Sequence, residues 1–167
     1  MVSKQPDHVI HSSMRRSERE IKDIDEIESI ISRCDVCRIA LADNNFPYIV
    51  TMNFGYFPGE CRMIYFHSAV EGRKIEMIRN NNFVCFEMDT DHRLIPGSLP
   101  CDYTMKYSSI IGWGKITIVE SEEERKAGLE SIISHVSGKN EFNFSGEIFK
   151  RTAVLRLDIM EMTGKKL

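Results

Sequence analysis

The 167-residue sequence predicts a mainly β domain: a small antiparallel barrel of about six strands with helices at its periphery. Two observations carry this reading. Strand-like segments outnumber helical ones and do not alternate with them, which argues against a parallel βαβ sheet. Most of these segments are joined by short turns, as antiparallel neighbours allow. At 42 % hydrophobic the chain suits one core, and no linker, repeat or low-complexity stretch divides it.

The elements follow in order. Met1 to Ser13 is polar and reads as a loose tail, leaving 14–167 as a single domain. Ile21, Ile24, Ile27, Ile30 and Ile31 recur at helical spacing behind Asp23 and Glu26, a capping-box pair, so a helix is expected from about Ile24 to Arg33. Val36 to Ala42 reads as a strand with Cys37, Ile39 and Leu41 on one face. The turn Asp43-Asn44-Asn45 leads into a second strand, Tyr48 to Tyr56, as a hairpin. After the turn Phe57 to Glu60 comes a third strand, Arg62 to Phe66. Gly72 to Arg79 is a short helix ended by three asparagines, and Phe83 to Asp89 is again a strand. Thr90 to Asp102, with two prolines and a glycine, reads as one long irregular loop. Met105 to Val119 is a strand bent at a bulge around Gly112-Trp113-Gly114. Ser121 caps a helix to about Val136. Beyond a polar Gly/Asn segment, Thr152 to Met160 alternates as a half-buried closing strand.

Composition narrows the function classes. A net charge of −3 gives no reason to expect nucleic acid or an anionic membrane as partner. No apolar run approaches the roughly 18–20 residues of a membrane span, and Met1 to Ser13 lacks a secretory h-region, so a cytoplasmic location is expected. Five cysteines, an odd count without small-scaffold spacing, argue for reduced thiols. Cys34-Asp35-Val36-Cys37 is a CxxC, but it has no second CxxC or paired histidines for zinc. It also lies between a helix and a strand in the reverse of the thioredoxin order. Cys37 therefore reads as a core residue at a strand start, and no metal site is expected.

Three segments could carry chemistry. In Tyr65 to Lys74 an apolar strand ends at His67-Ser68-Ala69, and Gly72-Arg73-Lys74 opens a helix. A hydroxyl, free N–H groups and adjacent cations suit a phosphate. Ser68 and Glu71 also have capping-box spacing, so Ser68 could instead simply start the helix. Two cations in a first turn oppose the helix dipole, which a bound dianion would offset. His67 reads either as a hydrogen-bonding structural residue or as a group that contacts a cofactor or protonates a substrate. On the second strand Thr51 and Asn53 alternate with Val50, Met52 and Phe54, which suits a planar heterocycle or equally a solvated face. From Cys101 to Lys115, Tyr107, Ser108, Ser109 and Trp113 gather around one strand, either as an interface or stacking surface or with Trp113 in the core.

Together these segments resemble the pyridoxamine 5′-phosphate oxidase-like split-barrel flavoproteins, and most closely their nitroimidazole-resistance (nitroreductase) branch. The resemblance runs from about Met14 to Lys165. It rests on Arg15-Arg16, Cys34 to Ala40, Asn53-Phe54-Gly55-Tyr56, Tyr65 to Lys74, Cys101 to Ser109 and Met162-Thr163-Gly164-Lys165. It implies a six-stranded antiparallel split barrel and a homodimer with one FMN at each end of its interface. By that resemblance Val50, Thr51, Met52 and Asn53 run along the flavin ring. Phe66, His67, Ser68, Ala69, Arg73 and Lys74 hold the ring edge, ribityl chain and phosphate. Tyr107, Ser108, Ser109 and Trp113 reach the flavin from the partner or line the substrate side, and His67 is the catalytic candidate. The tail Met162 to Leu167 has no counterpart of the arginine-rich substrate motif of pyridoxamine 5′-phosphate oxidase itself, so oxidation of a vitamin B6 phosphate is not expected. The expected activity is reduction of small electrophiles such as nitroimidazoles, with electrons from an external donor. A nicotinamide donor would bind transiently, because no GxGxxG is present. A non-catalytic flavin carrier or sensor, and a haem-binding split barrel, are the alternatives.

Overall fold

A computed structural model describes residues 14–43, 46–140, 142 and 146–167. The expected tail 1–13 and the turn residues Asn44 and Asn45 lie outside them. After a 3₁₀ turn the elements are β1 (Glu20–Ile21), α1 (Ile24–Ile31), β2 (Cys37–Asp43), β3 (Phe46–Met52), β4 (Phe54–Phe57), β5 (Met63–Ala69), α2 (Arg73–Asn80), β6 (Phe83–Ile95), β7 (Thr104–Ile118), α3 (Glu122–Ser137), α4 (Gly146–Arg151) and β8 (Thr152–Lys166). The strands form one sheet in the order β3-β2-β6-β7-β8-β5-β4, with β1 added beside β8. Every pairing among the described residues is antiparallel.

Local chemistry explains the helices. Asp23 caps α1 by accepting from the Asp25 N–H at 3.1 Å, and Ile27, Ile30 and Ile31 are its buried stripe. Ser121 caps α3 through the Glu124 N–H at 3.3 Å, and Gly138 ends it in the left-handed region at φ 69°. Inward residues of the strands close on one core around Phe54, Phe66 and Phe86, to which α1 and α2 add their isoleucines. A smaller cluster, with Tyr65, Leu129, Ile132 and Val154, lies between α3 and the sheet.

The strand count is eight rather than six, and long-range pairing explains the difference. The expected single strand Tyr48 to Tyr56 breaks at Asn53, because its first half pairs with β2 and its second with β5. Much of the expected loop after Asp89 is strand: Arg93, Leu94 and Ile95 face Lys106, Met105 and Thr104 beyond a bulge after Thr90. The two-residue β1 was not expected, nor was α4 within the polar segment. β8 runs six residues past Met160 because β7 and β1 supply it with partners. The bulge at Trp113/Gly114 stands where the glycines suggested.

Candidate functional site

The two ends of the sheet, β3 and β4, are consecutive in the chain and are joined by Asn53 alone. The barrel is therefore closed by covalent chain at this point, not by a hydrogen-bonded ladder. Among the described residues β3 has a ladder partner only on its β2 side, which leaves its other edge without one. Asn53 is pinned by its amide, which donates to the Asp35 carbonyl at 3.2 Å.

The first turn of α2 lies against this strand. Lys74 Nζ is 3.7 Å from the Met52 sulfur, and the Arg73 guanidinium sits 4.6 Å above the Tyr48 ring. The N-cap is Gly72, at φ 118°, a conformation that suits glycine, and no side chain caps the helix. Ser68 thus does not start α2. The first main-chain bond runs from the Glu76 N–H to the Gly72 carbonyl at 3.1 Å, so the N–H groups of Arg73, Lys74 and Ile75 have no acceptor within the helix. Burial pulls the Lys74 ammonium below its ordinary pKa, as expected for a cation short of water.

The remaining residues of the first segment divide by strand alternation. Phe66 is fully buried in the core, so only its backbone is available to a ligand. Ser68 follows on the same face, half-buried, opposite Ala153. His67 points to the other face, the side of Tyr65 and α3, where it is exposed and has no hydrogen-bonding partner among the described residues. Ala69 ends the strand, exposed. On β3, Val50 and Met52 face inward, whereas Thr51 points outward and is exposed.

Outward-facing residues form cross-strand rows. One row runs Thr51, Arg38, Glu87, Ile111, Thr163, and the next Ile49, Ala40, Cys85, Trp113, Glu161. Trp113 is half-buried on this outer face rather than in the core, and Ser109 is on it, opposite Asp89 and Lys165. Arg38 bonds Glu87 at 3.0 Å and also Asp89, whose other oxygen meets His92 Nε2 at 2.8 Å. Burial raises the Glu87 pKa, and the Arg38 bond opposes that shift. Ile49 and Ile111 stay 65 % and 41 % exposed, leaving apolar area uncovered on this face. Ser108 faces the opposite way and is buried.

One chain does not bring the third segment to the other two. Ile118 pairs with Leu155, the neighbour of Phe66 across β8, and Ser108 is ten residues upstream of Ile118, or about 33 Å of strand. Trp113 and Thr51 share a face but are three interstrand spacings apart, about 14 Å.

Sequence reasoning missed His135. Its Nε2 is 2.7 Å from the Cys34 carbonyl and its ring centroid 4.3 Å from that of Phe54, so it ties the end of α3 to the α1–β2 connection beside Asn53. Its place in the last turn of a helix was the only signal. Cys34 and Cys37 are buried, the latter at the start of β2 as expected.

Residues 23–166 match the family model described as pyridoxamine 5′-phosphate oxidase. No curated protein matches the chain. Among solved structures, a candidate 5-nitroimidazole antibiotic resistance protein from Bacteroides thetaiotaomicron is 36 % identical, over 88 % of this chain and 86 % of that one, with a TM-score of 0.77. The flavocytochrome Anf3 from Azotobacter vinelandii is 15 % identical over 92 % of this chain and 72 % of its own, with a TM-score of 0.76. The FAD and haem binding protein from Mycobacterium smegmatis is 10 % identical over 89 % and 73 %, with a TM-score of 0.74. At the last two identities the likeness is one of fold, a split barrel. The family match and the Bacteroides relative together establish that this chain belongs to the pyridoxamine 5′-phosphate oxidase-like family.

Proposed function

We propose that this chain is a flavoprotein that holds FMN between the open edge of β3 and the start of α2, and that it reduces small electrophiles such as nitroimidazoles. The observation that carries this reading is the uncapped first turn of α2. It sets Arg73 and Lys74 against β3, in a chain 36 % identical to a candidate 5-nitroimidazole resistance protein. The residues fit a phosphate-bearing ring compound. Arg73, Lys74 and the free N–H groups of α2 would hold the phosphate, and Ser68, Ala69 and the Phe66 backbone the chain next to it. Val50 to Asn53 offer a free strand edge to a hydrogen-bonding heterocycle.

Bound FMN would supply the redox chemistry, passing on electrons from an external donor such as a nicotinamide. The protein's part is to bind and orient, and His67 is the proton donor through its imidazole ring. Tyr107 and Ser109 are too far along β7 to meet α2 of their own chain, so they would reach a flavin only in a second copy, and Trp113, on the same outer face, would join them. A homodimer that covers the exposed Ile49 and Ile111 is part of the same proposal. Ser108 would contribute by its backbone.

The test is purification without added cofactor, followed by reconstitution. A yellow protein with flavin absorbance, bleached by NADH or NADPH and reoxidised by a nitroimidazole, is expected; a colourless protein that takes up no FMN overturns the reading. A non-catalytic flavin carrier or sensor is the second reading, favoured by the absence of any group orienting His67 among the described residues. Flavin that binds but neither bleaches nor reoxidises in stopped-flow mixing supports that second reading. A Soret band in the purified protein would point instead to haem, which the Mycobacterium smegmatis protein binds together with FAD.

A further inference from the structure

A cleft of about 1010 Å³ opens at the other end of β6 and β7, among the end of α1, the β6 bulge and the last residues of β8. Its size falls at the upper end of the range, roughly 300–1,000 Å³, in which small-molecule sites lie. Five lining side chains are cationic and three are carboxylates, in a chain whose net charge is −3.

The carboxylates are each matched. Glu18 lies 3.9 Å from Arg19, Asp91 lies 2.9 Å from Arg33, and Glu26 is paired with Lys166. Asp91 sits at φ 60°, a left-handed conformation that asparagine and aspartate tolerate best, and Arg33 and then Ser108 hold its carboxyl below the usual carboxylate range. Arg93 and Lys106 remain. They stand directly opposite each other in the β6–β7 ladder, where like charges repel, and neither forms an ion pair among the described residues. Alternation and register put Lys106, Ser108, Lys166 and Arg93 on one face of the sheet.

We propose that this cleft is a second anion site, separate from α2, which binds the phosphate of a nucleotide-sized phosphate ester between Arg93 and Lys106. A carboxylate would neutralise one of the two facing cations, whereas a phosphate dianion neutralises both. The side-chain carboxylates of the cleft are each matched, and the remaining volume takes the organic part of the ester.

Adenosine 5′-monophosphate is the probe, titrated calorimetrically into the full chain as purified. Two double variants are compared with the parent, Arg93→Gln/Lys106→Gln and Arg73→Gln/Lys74→Gln. Parent and the Arg73/Lys74 variant are expected to bind, with the Arg93/Lys106 variant roughly ten- to hundredfold weaker. Arg93 and Lys106 are exposed, so that variant keeps the parent's circular dichroism, and its Tm holds or rises as the repulsion is relieved. The proposal is overturned if the parent shows no saturable binding at millimolar probe. It also fails if adenosine binds as well as its phosphate, or if binding is lost in the Arg73/Lys74 variant alone. Binding retained by the Arg73/Lys74 variant separates this site from α2, whether or not FMN binds there.

Discussion

Lys74 Nζ lies 3.7 Å from the Met52 sulfur, so a cation from the first turn of α2 is held against the last residue of β3 with no carboxylate partner among the described residues. Burial lowers its pKa, which means that the unfolded chain binds this proton more tightly than the folded one. The charged lysine therefore costs the ligand-free protein stability at neutral pH, and the cost fades as pH rises toward the ordinary 10.5. Lys74→Met is expected to leave the apo Tm unchanged or raised at pH 7, while weakening FMN binding roughly ten- to hundredfold. Thermal melts with and without FMN check both halves. A variant that loses apo stability but keeps FMN affinity would assign Lys74 to packing instead.

His67 has a separable role if it is the proton donor. It lies on the face of β5 opposite Ser68, so its loss should spare the phosphate contacts. His67→Ala should retain FMN affinity and bleaching by the nicotinamide. Reoxidation by a nitroimidazole should slow by roughly 10²–10⁴-fold. Unchanged reoxidation would make His67 a bystander.

At Gly55, α3 lies against the backbone of β4. A Cβ there would lie 2.1 Å from the Ser131 Oγ and 2.5 Å from the Ser131 carbonyl carbon, with the Ile132 N at 2.6 Å. The hydroxyl is already committed to the Gly128 carbonyl at 2.8 Å, and the backbone atoms cannot step aside without moving the helix. Gly55→Ala should therefore cost about 1–3 kcal/mol or more by overpacking. Gly146→Ala, with nothing within 4 Å of the added carbon, should stay within about 0.5 kcal/mol of the parent. Chemical denaturation of the two variants side by side tests the contrast.

These relationships differ in how readable they were. The stripe of isoleucines in α1, the caps at Asp23 and Ser121 and the alternation of β8 are local, and local patterns placed them. The break at Asn53 is not local: it exists because β2 and β5 claim different halves of one extended segment, and nothing in residues 48–56 reports on either partner. The extension of β6 to Ile95 likewise depends on Met105 and Thr104 opposite, across a bulge that interrupts the sequence pattern. Arg73 and Lys74 were legible as candidates for an anion site because cations in a first turn contradict the helix dipole. Their contact with β3 was not, since it arises from tertiary packing. His135 escaped because a histidine near a helix end carries no pattern of its own.

The cysteines give the last test, because burial separates them into distinct classes. Cys61 and Cys101 are exposed, Cys85 is half-buried, and Cys34 and Cys37 are buried. The Cys34 thiol donates to the Ile30 carbonyl at 3.3 Å, and burial pushes its pKa up to about 12; burial raises Cys37 too, as the largest influence on it. A thiol reacts as its thiolate, so burial keeps both in their less nucleophilic form near neutral pH. At pH 8 a chromogenic disulfide reagent should titrate Cys61 and Cys101 quickly and Cys85 slowly, with Cys34 and Cys37 appearing only on addition of denaturant. Cys61→Ser and Cys101→Ser should each remove one fast equivalent. Fast release from a variant that lacks all three accessible cysteines would mean that the α1–β2 connection opens on its own, despite Asn53 and His135 holding its carbonyls. Combining that variant with His135→Ala measures the hold directly: removing the ring should speed the reaction of Cys34 before it exposes the global fold.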